Sequence, residues 1–257
     1  MTPLGSVVGG PAVDEPPGPR DWLSEAVLRP VRDGNAFEAC VEHLATAIRL
    51  GVFAEGDRLP PERELAERLR VGRATLRDAI SALRQAGMVR THRGRSGGTV
   101  VVYHGSPQGG PEVLSVHRTP DQIADALAFR RVVEPGAAQL AAGADLAADQ
   151  RAWLVDALHA VAATTDDGAR RVADSRFHLA VAMLSGSAML VEAVTQARAL
   201  VAEMLAGIPV LAPNIQHADA QHQEIVDAVL AGDGNRAREV MEEHCDATSA
   251  LLRALLP

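Results

Sequence analysis

Four residues in the second half of the chain, Asp174, His178, His222 and His244, have the types and spacing of a metal site. Asp174 and His178 are four apart and so share one helix face, while His222 and His244 lie on two successive helical stretches separated by the turn AGDGN. Three helices can therefore carry these side chains to one point. Three imidazoles and a carboxylate suit a borderline divalent cation such as Zn²⁺, with Ni²⁺ or Mn²⁺ as alternatives, and leave coordination positions open for an anionic ligand. Spacing alone is a weak signal, because a helical His is more often a surface or hydrogen-bonded residue. His43, His92, His104, His117 and His159 are read that way, and His217 falls off the pattern.

A second constellation is cationic. Arg73 and Arg77 are four apart with Thr75 between them, so two guanidinium forks leave one face near a helix start. Such a fork can engage two acceptors of one guanine, the commonest base-specific contact in a DNA major groove. Arg63 lies on the preceding helical stretch, and Arg93, Gly94 and Arg95 form a glycine-rich tip able to approach a duplex closely. The chain's net charge of -8 looks unfavourable for a nucleic-acid partner, but its distribution is not. Residues 57–95 hold ten Arg against five acids, and the rest holds 15 Arg against 28 acids. A basic module rides on an acidic one.

The elements that must position these residues are legible from periodicity. Phe37, Cys40, Val41, Leu44 and Ile48 mark a first helix, Leu65, Ala66 and Leu69 a second behind Pro61, and Leu76, Ile80 and Leu83 a third. Met88–His92 and Thr99–Tyr103 flank RGRSGG as a two-stranded hairpin. After Pro120 the pattern is helical, with breaks near 142–147, 165–168, 185–187, 207–214 and 231–234, which gives six helices with short connections. The expected fold is mainly α, a winged helix-turn-helix joined to an antiparallel bundle of six or seven helices. Residues 1–34, rich in Pro and Gly, read as a mostly flexible arm, 35–104 as the winged head, 105–120 as a linker and 121–257 as the bundle.

The segment GDRLPPERELAERLRVGRATLRDAISALRQAGMVRTHRGRSGGTVV resembles the GntR superfamily of bacterial regulators over about 50 contiguous residues. The resemblance implies DNA contacts at Arg63, Arg73, Thr75, Arg77 and the wing from Arg93 to Gly97, with Gly72 replacing a Ser or Thr. Residues 121–255 are similar to the FCD domain of the FadR-like branch, at DSRFH, HQEIVDAVLAGD and EEHCDA. That likeness implies a metal on Asp174, His178, His222 and His244 that coordinates a carboxylate effector, and an effector clamp at Arg130 in FRRVVEP. An ion pair of Arg130 with Glu134 is the competing reading. Ser187 departs from a common Asn in what the family uses as polar pocket lining.

The expected function is a ligand-responsive transcriptional regulator, usually a repressor, binding double-stranded operator DNA as a homodimer and a small carboxylate in its bundle. The competing class is a metal-dependent hydrolase with a DNA-targeting module, which lacks any HExxH, nucleophile elbow or phosphate loop in support. Cys40 and Cys245, far apart, support neither a disulfide framework nor a cysteine zinc site, and no apolar run is long enough for a membrane span. A cytoplasmic protein with no membrane partner is expected.

Overall fold

Apolar side chains at helical spacing bury themselves in one continuous core, with a smaller separate cluster of Ile123, Leu127, Val201, Met204, Ile208 and Leu252. The computed structural model describes residues 19–28, 30, 36–92, 98–104, 118–208 and 210–256. A short helix, α1 (Pro19–Val27), precedes α2 (Ala36–Arg49), α3 (Glu62–Leu69) and α4 (Arg73–Gln85). Strands β1 (Val89–His92) and β2 (Gly98–Val101) then pair antiparallel, Val89 opposite Val101 and His92 opposite Gly98. Leu44, Leu65, Leu69, Leu76, Leu83 and Val101 are buried where the three helices meet the hairpin. Each such side chain contributes on the order of 2 kcal/mol by leaving water.

The rest of the described chain is α5 (Pro120–Ala142), α6 (Ala148–Ala163), α7 (Asp167–Leu184), α8 (Ala188–Ala206), α9 (Ala212–Ala231) and α10 (Gly234–Leu255), whose buried residues extend the same core. The expected fold class is observed, a winged helix-turn-helix followed by a helical bundle. Helix α5 is central and packs against α7, α8, α9 and α10. Its start is set by a capping box in which Thr119 and Gln122 satisfy each other's backbone N–H groups, with Pro120 at the first turn. Asp166 and Ser187 cap α7 and α8 by accepting from the N–H groups of Ala169 and Leu190. Gly232, at φ 76°, ends α9 in the left-handed region and turns the chain into α10.

One expectation is corrected. The segment read as a flexible arm contains α1, with Leu23 and Leu28 buried and Trp22 set edge-on to Trp153 of α6 at 5.6 Å between ring centroids. Its composition is too poor to fold alone, but two Leu and a Trp suffice once a preformed surface is available to bury them. α1 packs against α2, α7 and α8, and Arg68 of α3 donates to Ser24 Oγ at 3.1 Å, so the helix touches both head and bundle. Cys40 of α2 and Cys245 of α10 are free and buried. Among the described residues no helix is long and apolar enough to cross a membrane.

Candidate metal centre and nucleic-acid face

Asp174 and His178 sit one turn apart on α7, His222 on α9 and His244 on α10, and one donor atom from each lies within 4.8 Å of all the others. Asp174 Oδ1 is 3.8 Å from His178 Nε2 and 3.5 Å from His222 Nε2. The three imidazoles are buried and lie ring against ring, with centroids 4.7 to 5.4 Å apart. The helical pattern of the sequence converges as expected, because α7, α9 and α10 each turn this face toward α5 or one another.

A surrounding layer orients these groups. Glu134 Oε2 of α5 lies 2.9 Å from His178 Nδ1, and Gln221 Oε1 lies 3.2 Å from His244 Nδ1. The partner on Nδ1 leaves Nε2 as the lone-pair side of His244, the arrangement in which a metal-ligating His is usually held, and Glu134 stands on the same side of His178. The Glu134 contact is close but off the line of a hydrogen bond. Both ring nitrogens of His178 and of His222 are buried without a hydrogen-bond partner among the described residues. Leaving such groups unsatisfied costs about 1–3 kcal/mol each, and this donor set fits a divalent cation, which would take the lone-pair nitrogen of each ring.

Electrostatics keep the nitrogens available. Burial lowers the pKa of all three imidazoles, His222 to about 3, so they stay neutral at physiological pH. Burial pushes the carboxyls of Asp174 and Glu134 up, but neighbouring cations outweigh it and hold both below the usual carboxylate range. For Asp174 the chief cation is Arg198 of α8, whose Nη2 donates to Asp174 Oδ2. For Glu134 it is Arg130, whose Nε donates to Glu134 Oε1 at 3.0 Å. Both guanidiniums are buried.

Arg130 makes the ion pair with Glu134 that the sequence left as the competing reading. Its Nε edge is the ion pair, while Nη1 and Nη2 are buried with no hydrogen-bond partner among the described residues. A cavity of about 140 Å³ opens beside Arg130, Asp174, His222 and His244. His217, which the pattern had set aside, lines it; Ser187 does not, being spent as the cap of α8. Arg198 and Gln221 were missed, although an Arg between Val194 and Val201 on the apolar face of α8 is a periodicity signal for a buried charge. Of the other His residues, His92, His104 and His159 are exposed, His43 is half-buried with Nδ1 unpartnered among the described residues, and His117 lies outside the described residues.

On the head, Arg63 of α3 and Arg73 and Arg77 of α4 are exposed, and none makes an ion pair among the described residues. Thr75 is half-buried one turn from Gly72, which caps α4 without a side-chain hydrogen bond. Arg70 ends α3 in the left-handed region at φ 53° and makes the turn between the two helices. The wing residues Arg93, Gly94 and Arg95 lie outside the described residues.

Comparison with known proteins follows the same division. The family model "Bacterial regulatory proteins, gntR family" matches residues 37–101, and the FCD domain model matches residues 125–247. A Mycobacterium gastri protein named as an HTH-type transcriptional regulator, RmpR, is 34% identical over 225 residues, 85% of this chain and 80% of that protein. The HTH-type transcriptional repressor NanR of Salmonella newport is 29% identical over 241 residues, covering 88% of this chain and 89% of the relative. Among solved structures, E. coli McbR/YncC superposes with a TM-score of 0.53 at 18% identity, covering 86% of this chain and 98% of that one, a likeness of fold.

Proposed function

Because this chain belongs to the GntR family of bacterial regulatory proteins, DNA-binding transcriptional regulators, and carries an FCD domain, we propose that it is a carboxylate-responsive repressor. One observation supports this reading above others: the unpartnered edge of Arg130 and the Asp174, His178, His222 and His244 cluster share one cavity. Asp174 and the three imidazoles would hold a divalent metal, zinc in the first instance with nickel or manganese as alternatives. The metal, when bound, supplies positive charge that attracts an anionic oxygen. Arg130 offers two parallel N–H groups to the effector's carboxylate, a geometry that suits a bidentate pair.

The head reads DNA with Arg63, Arg73, Thr75 and Arg77, and with the wing residues Arg93, Gly94 and Arg95. Two copies related by a twofold axis meet a pseudopalindromic operator. Signalling from cavity to head has a physical route. Helix α7, which carries Asp174 and lends Arg170 and Arg171 to the cavity, also meets the head, where Gly51 lies against Val172 and Arg176. Helix α8, whose Leu205 lines the cavity, carries Glu203, which lies 3.9 Å from Arg49 at the end of α2 and 2.6 Å from Arg118 at the start of the bundle. An effector acts only through its different affinity for two placements of these helices.

Metal analysis of the purified protein, with operator binding measured against added carboxylates, tests the reading. Stoichiometric metal and a carboxylate-dependent loss of operator affinity are expected. Metal-free protein whose His178→Ala/His222→Ala double variant still binds effector would end it. The competing hydrolase reading predicts turnover of the bound carboxylate, which the same samples report.

A further inference from the structure

Resting on the effector reading above, we infer that the cavity selects a small carboxylate with an apolar body, branched aliphatic or a single ring, and discriminates against polyhydroxy acids. Its volume of about 140 Å³ is close to the roughly 150 Å³ of an engineered cavity that takes benzene. A carboxyl group with one ring or a short branched chain matches this volume, and the cavity is open on one side.

The lining divides sharply by hydrogen-bonding capacity. Most of its polar groups are already engaged. Arg198 is held by Asp174 and Ser175, and Arg170 by Asp219 and the carbonyls of Val161 and Thr164. Arg171 Nη2 donates to the Ile208 carbonyl at 3.3 Å, Thr248 Oγ1 donates to the His244 carbonyl at 3.0 Å, and Gln221 Oε1 faces His244 Nδ1. The buried capacity that remains is the two Nη groups of Arg130, the Nε of Arg198 and the ring nitrogens of His222, of which the proposed metal would take one. What faces an occupant is therefore mainly donor, and a donor pair recognises a carboxylate better than a row of hydroxyls. Acceptors for hydroxyl protons are offered by Asp167 and Asn214, both exposed at the rim.

The same cavity is lined by Leu205 of α8, Ile208 just beyond its end, Ile215 of α9 and Leu251 of α10, and Leu205, Ile208 and Leu251 belong to one apolar cluster, so these side chains make an apolar wall. A chain of hydroxyls laid against it would give up water and receive no partner, whereas a methyl-branched or aromatic body would bury carbon against carbon. The carboxylate end is general to the proposed site; the wall is what sets the class.

The test compares 2-hydroxy-4-methylpentanoate with gluconate, both six-carbon 2-hydroxy acids, by calorimetry on the full chain saturated with zinc. The apolar acid is expected to bind at least tenfold more tightly. Ile215→Asn and Leu251→Asn, checked for unchanged melting and zinc content, are each expected to narrow that ratio severalfold. Gluconate binding as well as or better than the apolar acid overturns the inference and leaves the effector reading standing. Binding of neither acid, nor of any other small carboxylate, to zinc-loaded protein overturns both. If the wall variants do not fold, the ratio measured on the unmodified chain decides.

Discussion

Glu134 of α5 and His178 of α7 meet inside the bundle with Oε2 and Nδ1 2.9 Å apart, both side chains buried. The same carboxylate accepts from Arg130 and lies 4.0 Å from Arg198, so it balances two buried guanidiniums while it orients an imidazole. Glu134→Gln keeps the shape and removes the charge, and it should weaken metal binding about 10–100-fold, as loss of an outer-layer partner commonly does. Glu134→Ala also leaves the buried Arg130 uncompensated, Arg198 keeping Asp174, and should cost about 3–5 kcal/mol of stability. Chelator competition for the first variant and thermal melting for the second check these values.

On the head, Arg77→Ala should cost roughly 1–3 kcal/mol of operator affinity and flatten the preference for one base pair if the side chain reads a base edge. Fluorescence anisotropy on operator and on scrambled duplex separates the outcomes. Equal loss on both would make Arg77 a phosphate contact.

Stability of the metal-free protein should fall as pH drops. His222 has a folded-state value near 3 against an unfolded value of 6.5, so its neutral burial is fully tolerated above pH 6.5 and penalised increasingly below it. Asp174 and Glu134, both depressed, add losses of the same sign at still lower pH. Melting temperatures from pH 8 to pH 4 should therefore decline steadily below 6.5, and His222→Gln should remove part of that slope. A flat profile would show that the imidazole is not buried neutral.

Gly51 marks the contact between head and bundle. Its φ is 72°, and a Cβ there would run into Val172 Cγ1 and the Arg176 side chain on α7. Gly51→Ala should lower the melting temperature, with a cost of about 1–3 kcal/mol from backbone strain and overpacking. It should also blunt the effector's influence on operator affinity more than it changes operator affinity itself, which titrations with and without effector measure.

Local patterns alone determined the helices of the head, the hairpin, the six helices of the bundle and the shared faces of Asp174 and His178. Each of these follows from residue type and a period of two or 3.6, which act within one element. The charge segregation between head and bundle was equally legible, because counting charge along a chain needs no fold. Tertiary structure alone decided that α1 leaves the supposed arm to bury Leu23, that Arg198 pairs with Asp174, that Gln221 supports His244, and that His217 reaches the cavity. Those contacts join side chains from different helices, and where helices cross depends on how whole surfaces pack, which no short run of residues encodes.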